Sequence, residues 1–215
     1  MNTTIKRILS EKIIMIVRGV STDQLANLAE AMYRGGIRLM ECTYDASGKV
    51  PDEQIADAIG MLARRMEGRM LIGAGTVLTE QQVALTRQAG GKFIISPDTN
   101  EQVIRATRAA DLVSIPGALT PSEAMTAHRA GADFVKLFPV SSMGPAYVKA
   151  VRAPLSHIRF LAVGGVRLDN IADFLAAGAL GVGIGVGAEE KQAMARGDFE
   201  YVERACRALV ERANA

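Results

Sequence analysis

The sequence predicts an α/β fold on three observations. One local pattern recurs along the chain, in which a helical stretch ends in glycine and an apolar, often β-branched segment begins. Helix starts are equally regular, marked by Ser or Thr followed three residues later by Gln or Glu. About eight apolar segments fit into 215 residues, each separated from the next by a helical stretch. Strands alternating with helices imply a parallel sheet, and about eight such units in this length suggest a compact (β/α)8 TIM barrel behind a short N-terminal helix. Strand number alone leaves a doubly wound open sheet as the alternative. No internal linker interrupts the pattern, so residues 1–215 read as a single domain.

The elements follow in order. The opening MNTTIKRILSEK reads as a short polar helix, not a signal peptide. The first strand is expected near 13–17, and Ser21-x-x-Gln24 starts the next helix. Gly35-Gly36 ends it, because glycine just past a helix takes the left-handed cap conformation, and a strand follows near 38–43. Strands near 70–74 and 93–96 flank a helix that begins at Thr79-x-x-Gln82 and ends at Gly90-Gly91. Asp98-x-x-Glu101 resembles the same capping device ahead of a strand near 112–115. Thr120-Pro121-x-Glu123 adds proline at the first helical position. Gly131 and Gly178 end the helices before strands near 133–138 and 181–185, with another strand near 159–163. Runs this short and apolar suit strands buried on both faces.

Composition narrows the function. The chain is 49% hydrophobic with net charge +2, and its basic residues are scattered, so the electrostatic footprint of a nucleic-acid binder is missing. No apolar run is long enough to span a membrane. Two cysteines, Cys42 and Cys206, and two isolated histidines, His128 and His157, make no zinc-site pattern. The expected setting is a reducing cytoplasm.

Lys136 stands out, because it lies within Phe134-Val135-Lys136-Leu137-Phe138-Pro139, an apolar run that reads as a buried strand. A buried ammonium is costly unless it is paired or gives up its proton, and a free amine attacks carbonyls. By strand alternation Phe134 and Phe138 share its face, while Val135 and Leu137 face the helices. Glu41 and Thr43 share a face of the second strand with Cys42 opposite, and Arg18 extends the Ile14 and Ile16 face of the first. A Lys, a Glu and an Arg thus converge on one barrel mouth. A buried Lys136–Glu41 ion pair, and an Arg18 that caps the mouth, are the structural alternatives. Gly164-Gly165 after the seventh strand and Gly183-Ile184-Gly185-Val186-Gly187 after the eighth suit an anion, or tight turns.

These residues resemble the 2-keto-3-deoxy-6-phosphogluconate (KDPG) aldolase and 4-hydroxy-2-oxoglutarate aldolase family. The likeness runs from about Ile13 to Gly187 and rests on Ile16-Val17-Arg18-Gly19, Glu41-Cys42-Thr43, Ile72-Gly73-Ala74-Gly75-Thr76-Val77, Phe93-Ile94-Ile95-Ser96-Pro97, Ile115-Pro116-Gly117, Phe134-Val135-Lys136-Leu137-Phe138-Pro139 and Gly164-Gly165. It implies a class I aldolase that cleaves a 2-keto-4-hydroxy acid to pyruvate and an aldehyde. It also implies a homotrimer that needs no metal or other cofactor. Lys136 takes the imine-forming role and Glu41 the acid–base role. Arg18 and Thr76 would hold the substrate carboxylate, and Gly164, Gly165, Gly185 and Gly187 the distal phosphate. Thr43, Asp45, Pro97 and Phe138 would line the pocket. Two positions depart from the family pattern. Asp45 stands where many members carry arginine, and Gly185-Val186-Gly187 replaces a Gly-Gly-Ser loop. The other functional classes are a phosphate-binding barrel isomerase or epimerase with no covalent step, and a non-catalytic barrel that binds a sugar acid.

Overall fold

The computed structural model describes residues 2–215. In chain order its elements are α1 (Thr3–Glu11), β1 (Ile13–Val17), α2 (Thr22–Arg34), β2 (Leu39–Thr43), α3 (Asp52–Arg65), β3 (Leu71–Gly75), α4 (Glu80–Gln88), β4 (Phe93–Ile95), α5 (Glu101–Ala109), β5 (Val113–Ile115) and β6 (Gly117–Ala118). They continue with α6 (Pro121–Arg129), β7 (Val135–Leu137), α7 (Gly144–Arg152), β8 (Phe160–Val163), α8 (Ile171–Ala176), β9 (Val182–Gly185), α9 (Ala188–Ala195) and α10 (Phe199–Asn214). All strand pairings are parallel, in the order β5-β4-β3-β2-β1-β9-β8-β7-β6.

The two ends of that order are neighbours in the chain, so the sheet closes into the expected barrel. The fifth strand, expected near 112–115, continues past that segment but is broken at Pro116, which has no N–H to donate. Its first half pairs with β4 and its second with β7. The Lys136 N–H donates to the Pro116 carbonyl at 2.8 Å, carrying the wall across the break.

Side-chain alternation sorts the barrel into two cores. Ile14, Leu39, Phe93, Ile95, Val113, Ile115, Phe134, Leu161 and Val163 fill the lumen. Ile13, Met15, Met40, Cys42, Val135 and Leu137 pack outward against the helices. Glycine gives the bulky lumen residues room, since a Cβ on Gly73 would overlap the Phe93 ring. The polar reading of the first helix is corrected here. α1 is amphipathic, and its Ile5 and Ile8 join the lumen core, closing the barrel floor.

Caps follow the expectation in part. Thr120 and Glu123 form a complete capping box, and Thr79 accepts from the Gln82 N–H. Gly36, Gly90, Gly131 and Gly178 have φ of 96°, 88°, 101° and 100°, the left-handed conformation glycine tolerates. Ser21 is an N-cap whose side chain makes no capping bond. Asp98 caps nothing; Asn100 caps α5 instead, accepting from the N–H groups of Gln102 and Val103, because it is the residue adjoining the first helical turn.

Candidate active site

Lys136 is 7% exposed and Glu41 3%. They lie on β7 and β2, which stand opposite each other when β5 and β6 are counted as one strand. Both point into the lumen at its C-terminal end. None of the ion pairs among the described residues joins them, so the buried-pair reading does not hold at ion-pair distance. Glu41 Oε2 and Thr43 Oγ1 are buried without a hydrogen-bond partner. Leaving a buried polar atom unpartnered costs about 1–3 kcal/mol, which a stable core avoids unless the atom has another use.

The electrostatics follow from this burial. Loss of solvation raises the Glu41 carboxyl to about 7, against the opposing pull of the Lys136 and Arg18 charges. The neighbouring Thr43 hydroxyl also favours the charged form, though its geometry falls short of a hydrogen bond. Loss of solvation lowers the Lys136 ammonium, Glu41 pulls it back up, and Arg18 adds to the lowering. The Lys136 Nζ stands 4.4 Å from the centre of the Phe138 ring. Gly75 on β3 makes room for the acid, since a Cβ there would overlap the Glu41 carboxylate.

Arg18 and Thr76 meet at the mouth, where Arg18 Nη2 donates to Thr76 Oγ1 at 2.9 Å. Thr76 holds a φ of 54°, an uncommon conformation for a β-branched residue and one that recurs where function demands it. Arg18, Thr43 and Asp45 line one groove of about 490 Å³. The Asp45 carboxylate is turned into its own loop. It accepts from the N–H groups of Ser47 (3.0 Å), Lys49 (3.0 Å) and Val50 (3.1 Å) and from the Ser47 hydroxyl (2.7 Å). The Ser47 hydroxyl does most to hold its carboxyl below the ordinary range. Pro97 packs its carbonyl against Gly117 in the barrel wall.

Gly164 and Gly165, with φ of 86° and 89°, end β8 beside Phe138 and Ser141, and Gly185 and Gly187 lie on the loop after the adjacent β9. Gly187 is the N-cap of α9. A cavity of about 700 Å³ lies outside the lumen between that loop, α10 and the segment after β8; neither Lys136 nor Glu41 lines it. The sequence reading quoted Gly75 but missed its role in clearing space for Glu41. Gly75 carried a usable signal, a Gly-x-Gly alternation on the strand beside the glutamate. Among the described residues, no group of three or more His, Cys, Asp or Glu is placed to hold a metal ion. No helix there is long and apolar enough to cross a membrane.

A family model for KDPG and KHG aldolases matches residues 5–205. A probable 2-dehydro-3-deoxy-6-phosphogalactonate aldolase of Rhizobium meliloti is 36% identical over 174 residues, covering 80% of this chain and 79% of the relative. A 2-dehydro-3-deoxy-phosphogluconate aldolase of Pseudomonas aeruginosa is 35% identical over 188 residues, covering 86% and 81%. The crystal structure of KDPG aldolase from Legionella pneumophila, with pyruvate captured as a covalent carbinolamine intermediate, superposes with a TM-score of 0.85 at 25% identity, covering 97% of this chain and 98% of that one. The chain belongs to the KDPG and KHG aldolase family and is a lyase of the Schiff-base kind.

Proposed function

We propose that this protein cleaves a 2-keto-4-hydroxy acid to pyruvate and an aldehyde, with Lys136 as the imine former and Glu41 as the proton-transfer group. The observation that carries this reading is the pair itself. A deprotonation-prone amine and a carboxyl raised to about 7 face each other across the lumen without neutralising each other. The Lys136 amine adds to the C2 ketone, and loss of water from the carbinolamine leaves a protonated imine. Glu41, directly or through a water, takes the proton from the C4 hydroxyl. The C3–C4 bond breaks, the aldehyde leaves, and the electron pair flows into the imine to give the pyruvate enamine. Glu41 returns a proton to C3, and water releases pyruvate. A group that titrates near neutral pH suits both transfers.

Arg18 and Thr76 would hold the substrate carboxylate, and their mutual hydrogen bond supports that role by fixing the guanidinium at the mouth. The backbone of Gly164, Gly165, Gly185 and Gly187 would frame the far end of the substrate, and Thr43 and Phe138 the walls near Lys136. The sugar-acid end and assembly as a homotrimer are carried from the family resemblance, and the cytoplasmic setting from cysteine usage. Borohydride added with pyruvate is expected to leave a reduced pyruvyl group on Lys136, read by peptide mass spectrometry. Folded protein without that adduct would sink the mechanism.

A further inference from the structure

We infer that Gln82 is a positioning residue for this reaction, its side-chain amide holding the loop that sets Thr76 against Arg18. The inference rests on the reading above, in which Arg18 and Thr76 hold the substrate carboxylate. Gln82 lies in the first turn of α4 and is 7% exposed. Its Oε1 accepts from the Leu78 N–H at 2.8 Å, and its Nε2 donates to both carboxylate oxygens of Asp52 at 3.1 Å. Its N–H donates to Thr79 Oγ1 at 3.2 Å. Its carbonyl accepts from the Thr86 hydroxyl at 2.8 Å and the Tyr44 hydroxyl at 3.3 Å. One residue thus joins the loop after β3, the first residue of α3 and the residue just past β2. None of these bonds reaches Lys136, Glu41 or Arg18 directly.

Thr76 needs such a hold. Its φ of 54° is one a β-branched residue keeps only where the surroundings over-determine it. Before it, the Gly75 carbonyl accepts from the Tyr44 N–H at 2.9 Å; after it, the Val77 N–H donates to the Ile95 carbonyl at 3.2 Å. Those two bonds continue the main-chain ladder of β2, β3 and β4. The Leu78 bond is different, because a side chain supplies it. The Leu78 side chain itself is exposed and adds little packing. The residue type matters too. An amide accepts from an N–H at one end and donates to a carboxylate at the other. Methionine does neither, and an ionised glutamate would set a second negative charge against Asp52. With the loop held, Thr76 Oγ1 accepts from Arg18 Nη2 at 2.9 Å, which fixes the guanidinium for a carboxylate.

Exchange of the pyruvate methyl protons for deuterium, followed by NMR, requires only the imine and the enamine, so its KM reads how well pyruvate is held. Gln82→Met is expected to raise that KM about tenfold while kcat changes less than about threefold, the pattern of lost uniform binding. Asp52→Ala removes the other anchor of the amide and should raise KM about threefold, whereas Asp52→Asn keeps an acceptor and should hold the parental value. Thr86→Val is the structural control. It removes a buried hydroxyl from the Gln82 carbonyl, leaves the Leu78 bond, and should lower the unfolding temperature without moving KM. An unmoved KM in both Gln82→Met and Asp52→Ala would overturn the inference, as would a shift in Thr86→Val as large as that in Gln82→Met. If Gln82→Met does not fold, the two Asp52 variants decide. Arg18→Met separates the inference from the reading beneath it. A raised KM there beside an unmoved KM in Gln82→Met would leave the carboxylate reading standing, and an unmoved KM in Arg18→Met would overturn both.

Discussion

The floor and the mouth of the barrel occupy one lumen and follow opposite rules. At the floor, Ile5, Ile8, Ile14, Leu39 and Phe93 fill the space with close-packed apolar surface. At the mouth, Glu41 Oε2 and Thr43 Oγ1 are buried and unpartnered, and Lys136 is stripped of solvent with no carboxylate at ion-pair distance. The floor supplies stability of about 1.5–3 kcal/mol for each large apolar side chain buried. The mouth gives some of it back, leaving polar groups unsatisfied that a substrate can satisfy. Both come from the same strands, two or three residues apart, as Leu39 and Glu41 on β2 show.

The contrast can be broken from either side. The largest effect is expected at the mouth, where Lys136→Met should lower kcat/KM by roughly 10⁴-fold or more and abolish borohydride labelling. Its thermal unfolding temperature should not fall, because a buried ammonium is replaced by an apolar chain of similar length. Glu41→Gln should lower kcat by about 10²–10⁴-fold, the usual range for a lost proton-transfer group. It should also change how stability depends on pH. The folded protein raises Glu41 from 4.5 to about 7, so it binds a proton more tightly than the unfolded chain. Stability from this group is complete below about 4.5 and is lost as pH rises through about 7. Glu41→Gln should therefore be more stable than the parent at pH 8, by on the order of a few kcal/mol, with the gap closing by pH 4.5. Denaturant titration at the two pH values measures it. At the floor, Phe93→Ala should cost about 3–5 kcal/mol of stability while shifting kcat/KM of the folded protein by no more than about threefold. A larger kinetic effect would mean that floor and mouth are mechanically coupled.

Much of this was legible in the sequence. The first strand falls on residues 13–17 as expected, and most others agree to within one or two residues. Alternation correctly separated Lys136, Phe134 and Phe138 from Val135 and Leu137, because one buried run can alternate only one way around a polar residue. The misses share a cause. Asp98 looked like a cap by spacing, but capping depends on which residue adjoins the first turn, and that is Asn100. α1 looked polar because its two buried isoleucines are few, and only the barrel beneath them makes them core.

By itself the sequence determined the alternation of helix and strand, the face on which each strand residue lies, and the unusual placement of Lys136. These are local properties, set by side-chain period, glycine caps and the cost of burying a charge. Tertiary structure alone decided that β2 and β7 stand opposite each other and that Gly75 clears space for Glu41. Those depend on closure of the sheet, which brings together residues tens of positions apart. No local pattern carries the distances between them.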